Sequence, residues 1–123
     1  MATSTKSLSD HGESESMAQI KTVAWFRKTY PGVKIFAIPN GGRRSPSEAL
    51  RLKNEGVSAG VPDLFVPEWG LWIEMKKETG GKVSPAQSEW LGYLEEIGHT
   101  AIVCPGFDAA KTAICAFSAQ QHY

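Results

Sequence analysis

The sequence has few of the features that mark secreted, membrane-spanning or strongly charged proteins. It contains only two cysteines, Cys104 and Cys115, and no secretory signal, so both are expected to be reduced core residues of a cytoplasmic protein. No apolar run approaches the ~20 residues that span a bilayer, so no membrane association is expected. Lys plus Arg and Asp plus Glu each number 13. The neutral total favours no partner, although a local basic face would still allow DNA binding.

Several motifs with a strong chemical meaning are absent as well. The three histidines, His11, His99 and His122, show no metal-ligand spacing among themselves. The sequence also contains no P-loop, no CxxC pair and no Ser-His-Asp arrangement. The pattern therefore gives no support to a P-loop nucleotide-binding protein, a thiol oxidoreductase or a serine hydrolase.

Length and composition predict one globular domain. The chain has 123 residues, of which 41% are hydrophobic and 21% are charged, and this fits a single core. Residues 1–14 are small and polar without an apolar period, and they are predicted to form a disordered tail. The folded domain is expected to span residues 15–123.

Hydrophobic periodicity and turn residues predict an α/β fold, a mixed β-sheet flanked by helices. The predicted order is helix, strand, short helix, two hairpin strands, helix, strand and helix. The segments are about Glu15 to Thr29, Val33 to Ile38, Ser45 to Gly56, Leu64 to Val66, Leu71 to Ile73, Ser84 to Gly98, Thr100 to Cys104, and a last helix that Asp108 caps. Apolar faces are predicted for the first helix at Met17, Ile20, Val23, Ala24 and Phe26, and for the third at Trp90, Leu91, Leu94 and Ile97.

The central hairpin carries three charged residues. Asp63 stands at the start of its first strand, and Glu74 and Lys76 lie near the end of its second. A turn near Trp69-Gly70 would bring Asp63 close to the level of Glu74. Glu74 and Lys76 are two residues apart, so both side chains leave the same face of their strand.

Such a cluster suits metal-assisted phosphodiester hydrolysis. Buried charge is costly unless it is paired or binds a metal, and carboxylate oxygens are the ligands that Mg²⁺ prefers. A metal can activate a bound water, and a Lys beside it can orient that water or stabilise developing charge. The alternative is a salt-bridged Asp/Glu/Lys trio at a sheet edge without catalytic function.

Two helices begin with the residues of a capping box. Ser45 and Glu48 start the short second helix, and Ser84 and Gln87 start the third, with a Pro at the first helical position of each. Gln87 lies one turn before Trp90, so its side chain can face the acidic cluster. Capping alone would also explain Gln87, and the sequence leaves both interpretations open.

A glycine-rich loop precedes the second helix. It consists of Asn40, Gly41, Gly42, Arg43 and Arg44. Flexible backbone N–H groups, an amide and two guanidinium groups together suit the binding of DNA phosphate oxygens. The alternative is a solvated turn with incidental arginines.

The charged hairpin and its flanks resemble a known nuclease family. Pro62-Asp63, ten intervening residues and Glu74-Met75-Lys76 resemble the PD-(D/E)XK signature. The flanking segments are similar to the VRR-NUC branch of that superfamily, as found in stand-alone domains of phages and bacteria. These segments are Ile38 to Gly42, Gly56 to Asp63, and Ser84 to Gln87 with the helix that follows.

The resemblance implies a restriction-endonuclease-like fold and a role for each site residue. Asp63 and Glu74 would bind Mg²⁺ or Mn²⁺ together with the backbone carbonyl of Met75. Lys76 would position or activate the attacking water, and Gln87 would support the site. An acid on the first helix often completes such sites, and Glu15 is the nearest candidate; its alternative is a favourable placement at the helix N-terminus.

The resemblance also implies the reaction and its partners. It implies a metal-dependent endodeoxyribonuclease, selective for Holliday junctions or other branched DNA, acting as a homodimer in the cytoplasm of a bacterial host. Aromatic residues beyond those that a small core needs offer a dimer surface, although core packing is their simplest use: Trp69, Trp72, Trp90 and Tyr93. The alternative function is a DNA-binding module of the same fold that has lost catalysis.

Overall fold

The computed structural model describes residues 13–39 and 44–121. The predicted order of elements is confirmed. Helices α1 to α4 are Glu15–Thr29, Pro46–Asn54, Pro85–Glu96 and Phe107–Gln121. Strands β1 to β4 are Phe36–Ala37, Leu64–Val66, Leu71–Lys76 and Thr100–Pro105, and a 3₁₀ turn, Pro67–Trp69, joins β2 to β3.

The described residues form a mixed four-stranded sheet in the order β1-β2-β3-β4. Strands β1, β2 and β3 pair antiparallel, whereas β3 and β4 are parallel and are connected through α3. A parallel pair needs such a crossover. Strands β2 and β3 are therefore the two inner strands of the sheet.

Alternate residues of the central strands divide the sheet into a core face and a second face. The core face carries Leu64, Val66, Leu71, Ile73 and Met75, which are fully buried against α1 and α4. Because side chains alternate along a strand, Phe65, Trp72, Glu74 and Lys76 lie on the second face. We call this second face the site face.

The apolar stripe predicted for α1 is wrong in part. Met17 and Ile20 are 45% and 58% exposed, and the buried residues are Ala18, Thr22 and Phe26. These three lie four residues apart, so they form one narrow stripe against the sheet. The Thr22 hydroxyl is accommodated there because it donates to the Ala18 carbonyl at 2.8 Å.

The predicted core face of α3 is also only partly correct. Leu94 is buried, Trp90 and Leu91 are half-buried, and Ile97 is 50% exposed. The helix is covered by the sheet along one narrow line, and Ile97 lies at its C-terminal cap beyond that line. The predicted strand Val33 to Ile38 shortens to Phe36–Ala37.

Both cysteines are free, but only one belongs to the core. Cys104 is buried in β4, where burial raises the pKa of its thiol to about 11. Cys115 is exposed on α4, so its predicted core placement is wrong. Among the described residues, no helix is long and apolar enough to cross a membrane.

The four aromatic residues predicted as a dimer surface have different environments. Trp69 packs within the chain against Phe26, Tyr30 and Phe117. Trp72 stacks on Phe65. Trp90 and Tyr93 pack edge to face on α3, and Tyr93 is 51% exposed. Only the Trp90–Tyr93 pair therefore leaves substantial aromatic surface outside the sheet.

Candidate active site

Asp63 and Glu74 are brought together by the register of the hairpin. Leu64 pairs with Ile73, so continuing the ladder by one residue places Asp63 opposite Glu74. The Met75 backbone N–H donates to Asp63 Oδ2 at 2.8 Å, which holds the aspartate against β3. Asp63 and Glu74 were predicted from the sequence to converge, and the structure places them side by side.

Glu74 lies in an environment that disfavours its charge. It is only 2% exposed. Burial, followed by repulsion from Asp63, raises the pKa of Glu74 to about 7, although Lys76 opposes the shift. Burial also raises the pKa of Asp63, and the hydrogen bond from Met75 partly offsets this. Two carboxylates held this close in a desolvated site favour a bound cation.

Lys76 and Gln87 form a hydrogen-bonded chain around Glu74. Lys76 Nζ donates to Gln87 Oε1 at 2.9 Å and lies 3.5 Å from Glu74 Oε2. Gln87 Nε2 donates to the same Glu74 oxygen at 2.8 Å. The amide therefore contacts the acid and the base at once, and it restricts the orientation of both side chains.

The capping box of α3 places Gln87 in this position. Ser84 Oγ accepts from the Gln87 backbone N–H at 3.1 Å, and Gln87 Oε1 accepts from the Ser84 backbone N–H at 2.9 Å. The same oxygen accepts from Lys76. Both interpretations of Gln87 therefore hold, because one side chain caps the helix and contacts the acidic cluster.

The loop before Asp63 is held against the same end of α3. Gly60 has φ +91°, and a Cβ there would lie 2.5 Å from the carbonyl carbon of Ala86. Trp90 Nε1 donates to Ser58 Oγ at 3.2 Å. Sequence reasoning missed Gly60, Ser58 and Trp90 in this role; the only signal was a glycine three residues before Asp63.

Glu15 lies near enough to act on the site through its charge. Its negative charge contributes to raising the pKa values of Asp63 and Glu74. However, residues 13–39 and 44–121 contain no group of three His, Cys, Asp or Glu side chains that could hold a metal. The structure therefore leaves Glu15 outside a three-carboxylate set with Asp63 and Glu74.

The remaining donor that the family resemblance implies is the Met75 carbonyl. In an antiparallel ladder a residue directs its N–H and C=O to the same neighbour. Since the Met75 N–H donates to Asp63, its carbonyl also lies on the Asp63 side. Two carboxylates and one carbonyl are all oxygen donors, which suits Mg²⁺ or Mn²⁺, and Mg²⁺ commonly takes only one or two protein carboxylates and keeps several waters.

The predicted DNA-binding loop lies largely outside the described residues. Asn40, Gly41, Gly42 and Arg43 belong to the segment that the structure does not describe. Arg44 is described and lines a cavity of about 560 Å³ together with Lys53 and the chain segment that leads towards Asp63. This basic cavity lies between α2 and the segment from Gly56 to Ala59.

Comparison with known proteins identifies the family. The VRR-NUC domain family model matches residues 5–108. The chain belongs to the VRR-NUC domain family. A solved structure titled "VRR_NUC domain protein" is similar to it with a TM-score of 0.73 and 27% identity, over 86% of this chain and 88% of that chain. No match was found among curated proteins.

Membership in the VRR-NUC family agrees with the site described above. The family implies a nuclease-type function, with nucleic acid as the class of substrate. The match with the solved structure covers most of the chain, and the mixed sheet flanked by helices is the fold of this VRR-NUC domain. Asp63, Glu74, Lys76 and Gln87 all lie within the matched range.

Proposed function

We propose that this VRR-NUC domain is a metal-dependent endodeoxyribonuclease of the PD-(D/E)XK type that uses Mg²⁺ or Mn²⁺. The observation that carries the proposal is a buried Glu74 beside Asp63, with Lys76 held 3.5 Å from Glu74 by Gln87. A structural salt bridge would pair one acid with one base, whereas here two acids share one neighbouring cation. Once both carboxylates are ionised, they carry one negative charge more than Lys76 offsets, and this is the reason to expect a metal.

Each residue has a role in this proposal. Asp63, Glu74 and the Met75 carbonyl would hold the metal, which when bound activates a water and neutralises charge on the scissile phosphate. Lys76 orients the water whose oxygen bonds to phosphorus as the P–O ester bond breaks. Gln87 is a positioning residue, because it contacts Glu74 and Lys76 rather than the phosphate.

A nicking assay on supercoiled plasmid tests the reaction. We expect nicking with Mg²⁺ or Mn²⁺ and none in EDTA. Asp63→Asn should abolish nicking while leaving DNA binding intact, and Lys76→Ala should lower turnover by about 10²–10³ while metal binding is retained. Glu96→Gln, an exposed acid on α3, is the control and should nick normally.

Metal binding can be measured separately from cleavage. A cation that binds the folded state raises the melting temperature, so Mn²⁺ should stabilise the wild type and Lys76→Ala more than Asp63→Asn. Equal stabilisation of all three proteins would contradict the assigned ligands. Specific DNA binding without nicking in any metal would instead support a catalytically inactive DNA-binding module of the same fold.

We further propose that the enzyme is a homodimer that prefers branched DNA. Symmetric resolution of a four-way junction needs two cuts related by a two-fold axis, and a C₂ dimer supplies that geometry. The exposed Tyr93, packed on Trp90, offers an aromatic contact for the dimer. Light scattering should give twice the 13.4 kDa chain mass. A monomer that cuts linear duplex as fast as a junction would contradict this proposal.

A further inference from the structure

A row of aromatic rings crosses the site face beside the acidic cluster. It runs from the edge strand β1, across β2 and β3, to the residue before β4. Its members are Phe36, Phe65, Trp72 and His99. We call it the aromatic row.

The rings are arranged in layers. Trp72 Nε1 donates to His99 Nδ1 at 2.8 Å, and their ring planes are 19° apart. Phe65 stacks on Trp72 at 4.0 Å between centroids, and its plane lies within 9° of that of His99. Phe36 meets Phe65 edge to face at 5.8 Å. The near-parallel rings of Phe65, Trp72 and His99 therefore hold one another in place.

The row is next to the proposed active site. Phe36 pairs with Phe65, and Phe65 pairs with Trp72. Trp72 lies two residues before Glu74 on β3, and Phe65 lies two residues after Asp63. The strand rise therefore separates the row from the carboxylates by about 7 Å along the strands.

The core does not account for the exposed end of the row. The hydrophobic core lies on the opposite face of the sheet. Phe36, in the short edge strand β1, is 46% exposed. Phe65, Trp72 and His99 are half-buried. An aromatic surface that continues directly from an acidic nuclease site is placed to meet the substrate.

We propose that the aromatic row binds unpaired bases of the DNA strand being cut. This inference rests on the proposed endonuclease function and adds the kind of DNA recognised. Bases inside a duplex are stacked on each other and cannot reach a ring on the protein, whereas a base in a single-stranded extension or at a branch point can stack on one. Stacking of this kind tolerates any sequence, since every base has a π-face.

The test measures DNA binding in EDTA, where no cleavage is expected. The probes are a labelled blunt duplex and the same duplex with a single-stranded extension. Fluorescence anisotropy measures the affinity of the protein for each probe. Wild type should bind the extended DNA more tightly. Phe36→Ala should weaken its binding by about 5- to 100-fold and leave blunt-duplex binding unchanged, and Phe36→Trp should restore the preference.

Two controls separate stacking from loss of structure. Ile20→Ala removes another exposed apolar side chain, on α1 and outside the row, and it should keep the preference. Abasic nucleotides in the extension, bound by the unaltered protein, should reproduce the effect of Phe36→Ala. An unchanged ratio between the two DNAs in Phe36→Ala, or wild-type affinity for abasic DNA, overturns the proposal.

The result also separates the row from the proposed catalysis. If the protein prefers the extended DNA but cleaves nothing with Mg²⁺ or Mn²⁺, the proposal about the aromatic row holds and the proposed nuclease function is wrong. If the wild type nicks DNA but Phe36→Ala binds both probes like wild type, the nuclease function holds and the proposal about the aromatic row is wrong.

Discussion

Gly60 lies directly against the backbone of Ala86, and no side chain fits between them. A Cβ at residue 60 would be 2.5 Å from the Ala86 carbonyl carbon and 2.6 Å from its oxygen. Ala86 precedes Gln87, whose amide contacts both Glu74 and Lys76. A contact between a loop and a helix terminus therefore sets the position of a side chain in the candidate active site.

Gly60→Ala is expected to displace the first turn of α3. The backbone of Ala86 must move to admit the Cβ, and Gln87 moves with it. A displacement of about 1 Å can lower turnover by roughly 10²-fold. Steady-state cleavage should show this loss, with Gly32→Ala as the matched control, because Gly32 has φ +94° but no atom near its missing Cβ. Equal losses of turnover in both variants would contradict the positioning role.

The two roles of Gln87 can be separated by a pair of variants. Gln87→Ala removes the contacts with Glu74 and Lys76. If the proposed metal site is correct, we expect turnover to fall by about 10- to 100-fold, the usual effect of removing a residue that orients metal ligands. Ser84→Ala removes the cap hydroxyl and should cost about 1 kcal/mol of stability. Turnover should fall much less than in Gln87→Ala, because the Gln87 side chain keeps its contacts with Lys76 and Glu74. If thermal denaturation and cleavage change in parallel in both variants, Gln87 acts only as a cap.

The raised pKa of Glu74 makes the stability of the metal-free protein depend on pH. The folded state holds the Glu74 proton up to about pH 7, whereas the ordinary value is 4.5. Between these values the folded state binds more protons than the unfolded state, so the stabilisation is full below pH 4.5 and is lost as the pH rises to 7. Since each pKa unit corresponds to about 1.4 kcal/mol, we expect this residue to contribute on the order of 3 kcal/mol to the change in stability across this range.

Chemical denaturation in EDTA across this pH range measures the effect. Glu74→Gln should lack this part of the pH dependence, because its amide does not titrate. Glu96→Gln, an exposed acid, should retain it. If stability has the same slope against pH in Glu74→Gln and in wild type, Glu74 ionises near its ordinary pKa of 4.5. Burial would then not raise the pKa of Glu74.

The basic cavity beside α2 is expected to bind the DNA backbone. Arg44 and Lys53 line it, and each phosphate contact contributes about 0.9 to the slope of log affinity against log salt. Arg44→Ala and Lys53→Ala should each lower that slope by about 0.9 and weaken binding to all sequences alike. Lys28→Ala, an exposed base on α1, is the control. An unchanged slope in the Arg44→Ala/Lys53→Ala double variant would show that the cavity does not contact DNA phosphates.

Much of the local structure could be predicted because its causes lie close together in the chain. The capping boxes at Ser45 and Ser84 depend on residues three positions apart, and both are present. The predicted turn near Trp69-Gly70 is also present, and Gly70 has the positive φ that such a turn needs. The prediction failed where burial depends on a distant partner. Met17 and Ile20 are apolar and correctly spaced, but the sheet packs against a neighbouring stripe of α1.

By itself, the sequence determined the order of the elements, the hairpin, and the convergence of Asp63 with Glu74 and Lys76. These follow from periodicity and from the alternation of side chains along a strand. Only the tertiary structure decided that Gln87 contacts both charges, that Gly60 packs on Ala86, and that an aromatic row continues the site. Each of these contacts joins segments far apart in the chain. Their distances depend on strand register and on the position of α3 over the sheet, which no local pattern specifies.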